Sequence, residues 1–140
     1  MFARFEEIDG FIVKGYAINN GQHADVPMIR NKLKQELDNM HVCPKTTYGV
    51  YTSMDDEGLH YVAGIVSHMV KELNATDQVL VAAGRYLVGI VEHGIEDIPA
   101  SIEALLNVKG ITFRHAPCFE KYLFGEEVEQ NEIEIWVPIQ

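Results

Sequence analysis

The sequence predicts an α+β fold built by tandem duplication of a βαββ unit. Two observations carry this prediction: a Gly-x4-Gly pattern occurs twice in strand-like runs, and each copy is followed by an Asp-x-Pro helix start. The prolines of the two starts, Pro27 and Pro99, lie 72 residues apart. Because order and offset are both shared, we expect a single domain of residues 1–140 with halves at about 1–70 and 71–140.

The first strand and the helix start of each half follow one pattern. The strands are predicted at Gly10 to Tyr16 and at Gly84 to Ile90. The helix starts are Asp25-Val26-Pro27 and Asp97-Ile98-Pro99. Aspartate is a common N-cap, and proline is tolerated in the first turn because its missing N–H donor would have no intrahelical partner there.

The helices are predicted from apolar residues that recur at steps of three and four, which is typical of a helix with one face on a core. The first helix carries Val26, Ile29, Leu33, Leu37 and Met40. The second carries Ile98, Ile102, Leu105 and Leu106. It is shorter and is expected to end between Asn107 and Gly110, where a left-handed glycine can stop it.

A strand pair is predicted after each helix. The pairs are Thr47 to Ser53 with Tyr61 to Ser67, and Cys118 to Phe124 with Glu132 to Val137. Polar connectors that contain glycine, at 54–58 and 125–131, suit hairpins, and Lys71 to Gln78 is the predicted join between the halves. With one helix per unit, we expect an antiparallel sheet with helices on one face and a ligand cleft between the halves, at a pseudo-twofold axis.

Composition excludes several classes of function. The 21 acidic against 11 basic residues give a net charge of −10, which disfavours direct nucleic-acid binding and attracts cations, although such acidity also serves solubility. The N-terminus lacks a signal peptide, and no apolar run could span a membrane, so a cytoplasmic protein is expected. Cys43 and Cys118 are expected to be reduced. The six histidines lack metal-ligand spacing, and no cofactor motif occurs, so neither metal nor cofactor is expected.

The stretch Pro117 to Gly125, PCFEKYLFG, contains the candidate site. In a strand, Glu120, Tyr122 and Phe124 share one face, which places a carboxylate in an aromatic row where a cation could rest. The alternative is a surface glutamate beside core aromatics. Duplication pairs Glu120 with Gly49, and Tyr122 with Tyr51, at an offset of 71 residues. One half would then offer an acid and the other a space, as an asymmetric pocket requires.

Further residues are expected to line this pocket. Its aromatic walls are predicted from five residues, each of which core packing would explain equally well: Tyr48, Tyr51, Tyr122, Phe124 and Trp136. Trp136 shares a strand face with Glu132 and Glu134, and Glu134 is the second candidate for the ligand-binding carboxylate. No catalytic residue is assigned.

Several motifs resemble the gyrase-inhibitor-like, AraC-effector-binding domain family. They are Gly84 to Val88, Glu92 to Gly94, Ile98 to Leu105, Pro117 to Tyr122 and the closing Glu134 to Ile139. The resemblance is close in the second half, whereas the first half matches mainly in the order of strands and helix. It implies a cleft between two βαββ units in which an acid, here Glu120, meets drug-like lipophilic cations. The sequence departs from the multidrug-responsive transcription activators of this family, because no residues remain for their DNA-binding helix-turn-helix. A stand-alone module is therefore expected, of the kind also encoded on integron cassettes.

Two other functions remain open from the sequence. Some proteins of this type are hydrolases of small electrophilic compounds, in which case Glu120 would act as a base on water and Tyr122 as a proton donor. An acidic protein-binding inhibitor of a DNA-handling enzyme is the other alternative, and the net charge of −10 is its sole support. Either a monomer or a homodimer is compatible with the sequence.

Overall fold

A computed structural model describes residues 3–55, 58–66, 75, 77–125 and 131–140. The described part contains eight strands and two α-helices. The first half supplies β1 (Ala3–Ile8), β2 (Phe11–Gly21), α1 (Val26–Asn39), β3 (Thr46–Asp55) and β4 (Gly58–Val66). The second half supplies β5 (Asp77–Val81), β6 (Gly84–Val91), α2 (Ile98–Leu106), β7 (Cys118–Leu123) and β8 (Glu132–Ile139).

All of these strands form one antiparallel sheet in the order β1-β6-β8-β7-β3-β4-β2-β5. Read from its two ends, the order pairs β1 with β5, β6 with β2, β8 with β4 and β7 with β3, which are equivalent strands of the two halves. The predicted α+β duplication with pseudo-twofold symmetry is therefore confirmed. The axis passes between the two central strands, β3 and β7.

Each half contains one strand more than the predicted βαββ unit. This additional strand comes first in its half and pairs with a strand of the other half. The β1 strand lies against β6, and β5 lies against β2. Most side chains of β1 are exposed, so the segment shows little of the alternation by which a half-buried strand is recognised. The β5 strand overlaps the predicted join, of which residues 71–74 and 76 lie outside the described residues, as do most of the two hairpin connectors.

Both helices pack on one face of the sheet, as predicted. The α1 helix covers β2 and β4, and α2 covers β6 and β8. Asp25 and Asp97 occupy the predicted N-cap positions, but neither side chain makes a cap hydrogen bond. The Asp25 carboxylate instead accepts a hydrogen bond from the Gln22 backbone N–H at 2.8 Å, across the 3-10 turn His23–Asp25 that precedes the helix.

The opposite face of the sheet carries a second core because the sheet curls. The ring centroids of Phe11 on β2 and Phe119 on β7 are 6.0 Å apart, although β4 and β3 lie between these strands. In a flat sheet three strand spacings would separate them by roughly 14 Å. The residues enclosed on this face are Val13, Tyr48, Val50, Val62, Val81, Tyr86, Val88, Phe119 and Trp136.

The exchanged strands lead us to expect that the two halves unfold together. Leu33 on α1 and Leu105 on α2 are equivalent residues, 1% and 0% exposed. Leu33→Ala and Leu105→Ala should each lower the free energy of unfolding by about 2–5 kcal/mol, through lost burial and a cavity. Urea denaturation followed by circular dichroism should show one transition for both variants.

Two exposed residues of the same helices provide the controls. Met28→Ala and Leu106→Ala remove apolar side chains that are 66% and 49% exposed, and should have much smaller effects. Two resolved transitions, each sensitive to one substitution, would show that the halves are independent domains.

Candidate functional site

The pseudo-twofold axis passes beside Glu120. Gly49 on β3 and Glu120 on β7 are direct cross-strand partners, and they are also the equivalent residues of the two halves. The flanking pairs, Thr47 with Tyr122 and Tyr51 with Cys118, are related by the same axis. The acid therefore lies at the centre of the sheet, on the face that carries the helices.

The Glu120 carboxylate is fully buried and accepts hydrogen bonds from three tyrosine hydroxyls. Tyr61 and Tyr122 donate to Oε1 at 2.7 and 2.6 Å, and Tyr51 donates to Oε2. The side chain is 0% exposed. A carboxylate has about four acceptor positions, and the described part of the chain fills three of them. The position that these donors leave is on Oε2.

Gly49 makes room for this cluster. A Cβ atom at this residue would lie 1.9 Å from the Tyr61 hydroxyl oxygen and 2.6 Å from Glu120 Oε1. Both distances are far below van der Waals contact. The absence of a side chain in one half is therefore what allows the carboxylate of the other half to meet its donors.

Arg30 on α1 extends the cluster. Its guanidinium carbon lies 3.5 Å from the centroid of the Tyr122 ring, which is a close cation–π contact. Its nitrogens donate to Thr47 Oγ1 at 2.5 Å, to the Tyr61 hydroxyl at 3.2 Å and to the Tyr48 carbonyl at 3.3 Å. The hydrogen bond to Tyr61 links this cation to the carboxylate through one hydroxyl group.

The electrostatics keep the tyrosines protonated and the arginine charged. Burial raises the pKa of Tyr51, Tyr61 and Tyr122 well above the usual range, and the charge of Glu120 raises each pKa further. Burial lowers the pKa of Arg30, but Tyr61, Tyr122 and Glu120 outweigh it, so the net shift is upward. The three hydroxyls thus remain donors at neutral pH.

A cavity of about 230 Å³ lies above this carboxylate, between the starts of the two helices. Tyr51 and Glu120 border it from the sheet. The two Asp-x-Pro segments and the residues beside them supply its other walls: His23, Ala24, Val26, Pro27, Ile95, Glu96, Ile98 and Pro99. The walls are mainly apolar, and they come from both halves.

A larger cavity of about 460 Å³ runs along α1. Arg30, Lys34, Tyr122 and Phe124 are among its lining residues, and Ile95 borders both cavities. Arg30 and the ring of Tyr122 thus face the larger cavity, while the carboxylate to which Tyr122 donates faces the smaller one.

The structure brings some of the predicted site residues together and separates others. Glu120, Tyr51 and Tyr122 are joined by hydrogen bonds. Phe124 is 42% exposed at the edge of the larger cavity. Three predicted residues lie on the opposite face of the sheet from Glu120: Tyr48, Trp136 and Glu134.

The separation of Glu134 from Glu120 follows from strand alternation. Glu120 lies directly opposite Ile135 on β8, so the next residue, Glu134, points to the other face. There its carboxylate accepts hydrogen bonds from Arg4 at 2.8 Å and from the indole nitrogen of Trp136 at 3.1 Å. The two acids therefore belong to different clusters.

Arg30 and Tyr61 are not among the residues predicted from the sequence. A signal for Arg30 was available, because it lies four residues after Val26 and three before Leu33, within the apolar stripe of the first helix. A signal for Tyr61 was its place in the predicted hairpin, where it pairs with Tyr51.

The cysteines, the potential metal ligands and the helices also bear on which other functions the chain could have. Cys43 is exposed, and burial raises the pKa of the Cys118 thiol to about 11. Among the described residues, no cluster of three His, Cys, Asp or Glu side chains could hold a metal ion. Within the same ranges, no helix is both long and apolar enough to cross a bilayer.

The buried tyrosines predict a loss of stability at alkaline pH. An unfolded tyrosine ionises near pH 10, whereas the pKa of Tyr51, Tyr61 and Tyr122 is raised in the folded state. The stabilisation is complete below pH 10 and decreases above it, by up to about 1.4 kcal/mol per pH unit for each tyrosine. Tyrosinate absorbance of these residues should appear together with unfolding. Its appearance near pH 10 in protein with a native circular dichroism spectrum would contradict this prediction.

The packing at Gly49 predicts that alanine is not accommodated. Gly49→Ala should lower the free energy of unfolding by about 1–3 kcal/mol, because the methyl group would displace the Tyr61 hydroxyl or the Glu120 carboxylate. Thr52→Ala, at an exposed position of the same strand, is the control. Equal denaturation midpoints for the two variants would show that the axis has unoccupied space.

Solved structures with a similar fold include the following three. SAV2435 bound to tetraphenylphosphonium matches with a TM-score of 0.73 and 16% identity, over 100% of this chain and 94% of that one. The integron cassette protein VCH_CASS2 of Vibrio cholerae matches with a TM-score of 0.63 and 19% identity, over 99% and 95% of the two chains. The EcmrR C-terminal domain matches with a TM-score of 0.59 and 14% identity, over 99% and 97%.

A family model gives the sequence-level match. No curated protein sequence matches the chain. The model described as integron-associated effector binding protein (Cass2) matches residues 4–139, almost the entire length. The duplicated sheet, the central acid and this match agree with the resemblance noted from the sequence, and the chain belongs to the integron-associated effector binding protein family.

Proposed function

We propose that this protein binds amphipathic, lipophilic cations in the cavity between the two helix starts, with Glu120 as the attracting charge. The observation that carries the proposal is a carboxylate that is 0% exposed, borders a mainly apolar cavity and is held by neutral donors. The family is named for effector binding, and the similar fold of SAV2435 is known with tetraphenylphosphonium bound, which is a lipophilic cation.

The charge of the carboxylate remains available to a ligand because tyrosine hydroxyls donate hydrogen bonds without adding a positive charge. A ligand cation about 5 Å from the carboxylate would gain on the order of 3 kcal/mol at an effective dielectric constant near 20. Tyr51 borders the cavity, and a cation over its ring would gain about 0.5–2 kcal/mol of cation–π attraction. These two terms favour cations over neutral molecules of the same shape.

The walls would select by charge and shape more than by hydrogen bonding. Val26 and Pro27 face Ile98 and Pro99, the equivalent residues of the other half, across the cavity. Apolar walls of this kind accept many ligands with flat rings, because few polar groups must be matched. A binding module with broad specificity is the function that this geometry supports best.

The same geometry disfavours hydrolysis. A general base must hold a water molecule by one of its acceptor positions and still receive its proton. Three tyrosine hydroxyls from the described part of the chain already donate to Glu120, so one acceptor position, on Oε2, is left for a water molecule. The carboxylate is thus arranged to present a fixed charge. The acidic-inhibitor alternative continues to rest on net charge alone.

The cation preference can be tested with a charged and a neutral ligand that share a triphenylphosphorus group. Calorimetric titration with tetraphenylphosphonium and with triphenylphosphine oxide should show tighter binding of the cation. Glu120→Gln should weaken cation binding about ten- to a hundredfold, equivalent to about 1.4–2.7 kcal/mol, and leave the neutral ligand little changed. Denaturation curves establish first that each variant is folded.

Two glutamates provide the comparison. Glu103→Gln removes one exposed negative charge from α2 and should leave both affinities unchanged, which controls for net charge. Glu134→Gln tests the buried carboxylate on the opposite face of the sheet. If Glu134→Gln, and not Glu120→Gln, abolishes the cation preference, the site is on that other face. If the folded wild type binds the cation no better than the neutral ligand, the proposal is wrong.

A further inference from the structure

The side chain of Arg30 occupies the position beside Tyr122 and Glu120 that would also favour the charge of a cationic ligand. Its guanidinium group lies 3.5 Å from the Tyr122 ring centroid and shares the Tyr61 hydroxyl with Glu120. Its other hydrogen bonds go to neutral oxygens of Thr47 and Tyr48. In the described contacts, the Tyr61 hydroxyl therefore lies between the guanidinium and the carboxylate, and Arg30 is joined to Glu120 through this group.

We propose that Arg30 is an internal cation that competes with a cationic ligand for Glu120 and the Tyr122 ring, so that its presence limits the preference of the site for lipophilic cations. This inference rests on the proposed function. When Arg30 leaves, a ligand with one positive charge restores the balance with Glu120 and takes over the aromatic face of Tyr122. The competition reduces the affinity for cations, because each binding event must first release the arginine.

The two cavities support this exchange. The smaller one, at about 230 Å³, is below the roughly 300–1,000 Å³ of pockets for drug-sized ligands. The larger one, at about 460 Å³, is lined by both Arg30 and Tyr122. Ile95 borders both cavities. Movement of Arg30 out of this position would extend the space beside the carboxylate towards the larger cavity, so that rings and charge fit together.

The exchange breaks the cation–π contact and the hydrogen bonds that hold Arg30, and this loss is the cost that a ligand must offset. The guanidinium is weakly hydrated and stays charged in either position. Arg30 is only partly buried as a residue, and it lines the larger cavity, which gives the side chain an exit. Glu120, in contrast, is 0% exposed on a central strand and stays in place.

The test measures how Arg30→Met changes the ratio of affinities for tetraphenylphosphonium and triphenylphosphine oxide. Methionine keeps the unbranched stem and the helix propensity, but removes the charge. We expect the ratio to rise at least tenfold, because the competing cation is gone. Arg30→Lys retains the charge and should keep a ratio nearer that of the wild type. Lys32→Met removes an exposed charge of the same helix, 4.6 Å from the Tyr16 ring centroid, and should leave the ratio unchanged.

A purely structural role for Arg30 would have a different result. If the arginine only fastens α1 to the sheet, Arg30→Met lowers both affinities in parallel, and an unchanged or smaller ratio overturns the inference. A second measurement uses the wild type, in case Arg30→Met does not fold. The Nε–H resonance of Arg30, shifted by the Tyr122 ring, should move towards that of free arginine as tetraphenylphosphonium is added. A resonance that stays in place at saturation overturns the inference.

The outcomes also separate this inference from the proposed function. A wild type without cation preference, together with an Arg30→Met variant that has one, contradicts the proposed function of the natural protein but supports the competition. A wild type with a cation preference that Arg30→Met does not increase supports the proposed function and contradicts the competition. Absence of preference in both proteins contradicts both.

Discussion

The burial of one carboxylate among three tyrosine hydroxyls is the constraint on which the rest of the site depends. An ionised acid removed from water must be stabilised by nearby donors or cations. Glu120 accepts hydrogen bonds from strands β3, β4 and β7 at once, so the register of these three strands must be maintained for the hydrogen bonds to form. The same requirement excludes a side chain at Gly49 and orients the Tyr122 ring towards Arg30. The geometry of the sheet and the electrostatics of the site therefore depend on each other.

Much of this arrangement could be predicted because the duplication is visible in the sequence. The repeated Gly-x4-Gly and Asp-x-Pro signals predict the symmetric fold, and the offset between the halves pairs Gly49 with Glu120. The same two residues are cross-strand partners at the axis. Local patterns were sufficient here because each element of one half was supported by its counterpart in the other.

What could not be predicted depends on relations between distant segments. Strand alternation assigns Tyr48 and Trp136 to a face of their own strands, but the face that meets the helices is decided only when the sheet is assembled. The exchange of β1 and β5 between halves likewise depends on long-range pairing, and the largely exposed β1 strand carries little pattern. Arg30 was overlooked because a basic residue beside an apolar stripe normally extends to solvent. Here the other half supplies the ring of Tyr122, and strands β3 and β4 of its own half supply the hydroxyl groups of Thr47 and Tyr61.

The contact between Gly49 and Glu120 also has a consequence for how such a protein can arise. In a dimer of identical single units, both residues at this contact would have to be the same. Two glutamates would place two negative charges side by side, and two glycines would leave the tyrosine hydroxyls without an acceptor. Joining the copies into one polypeptide lets them diverge, so that one keeps the acid and the other gives up its side chain. A lone central charge is thus available to a duplicated and fused gene but not to a dimer of identical units.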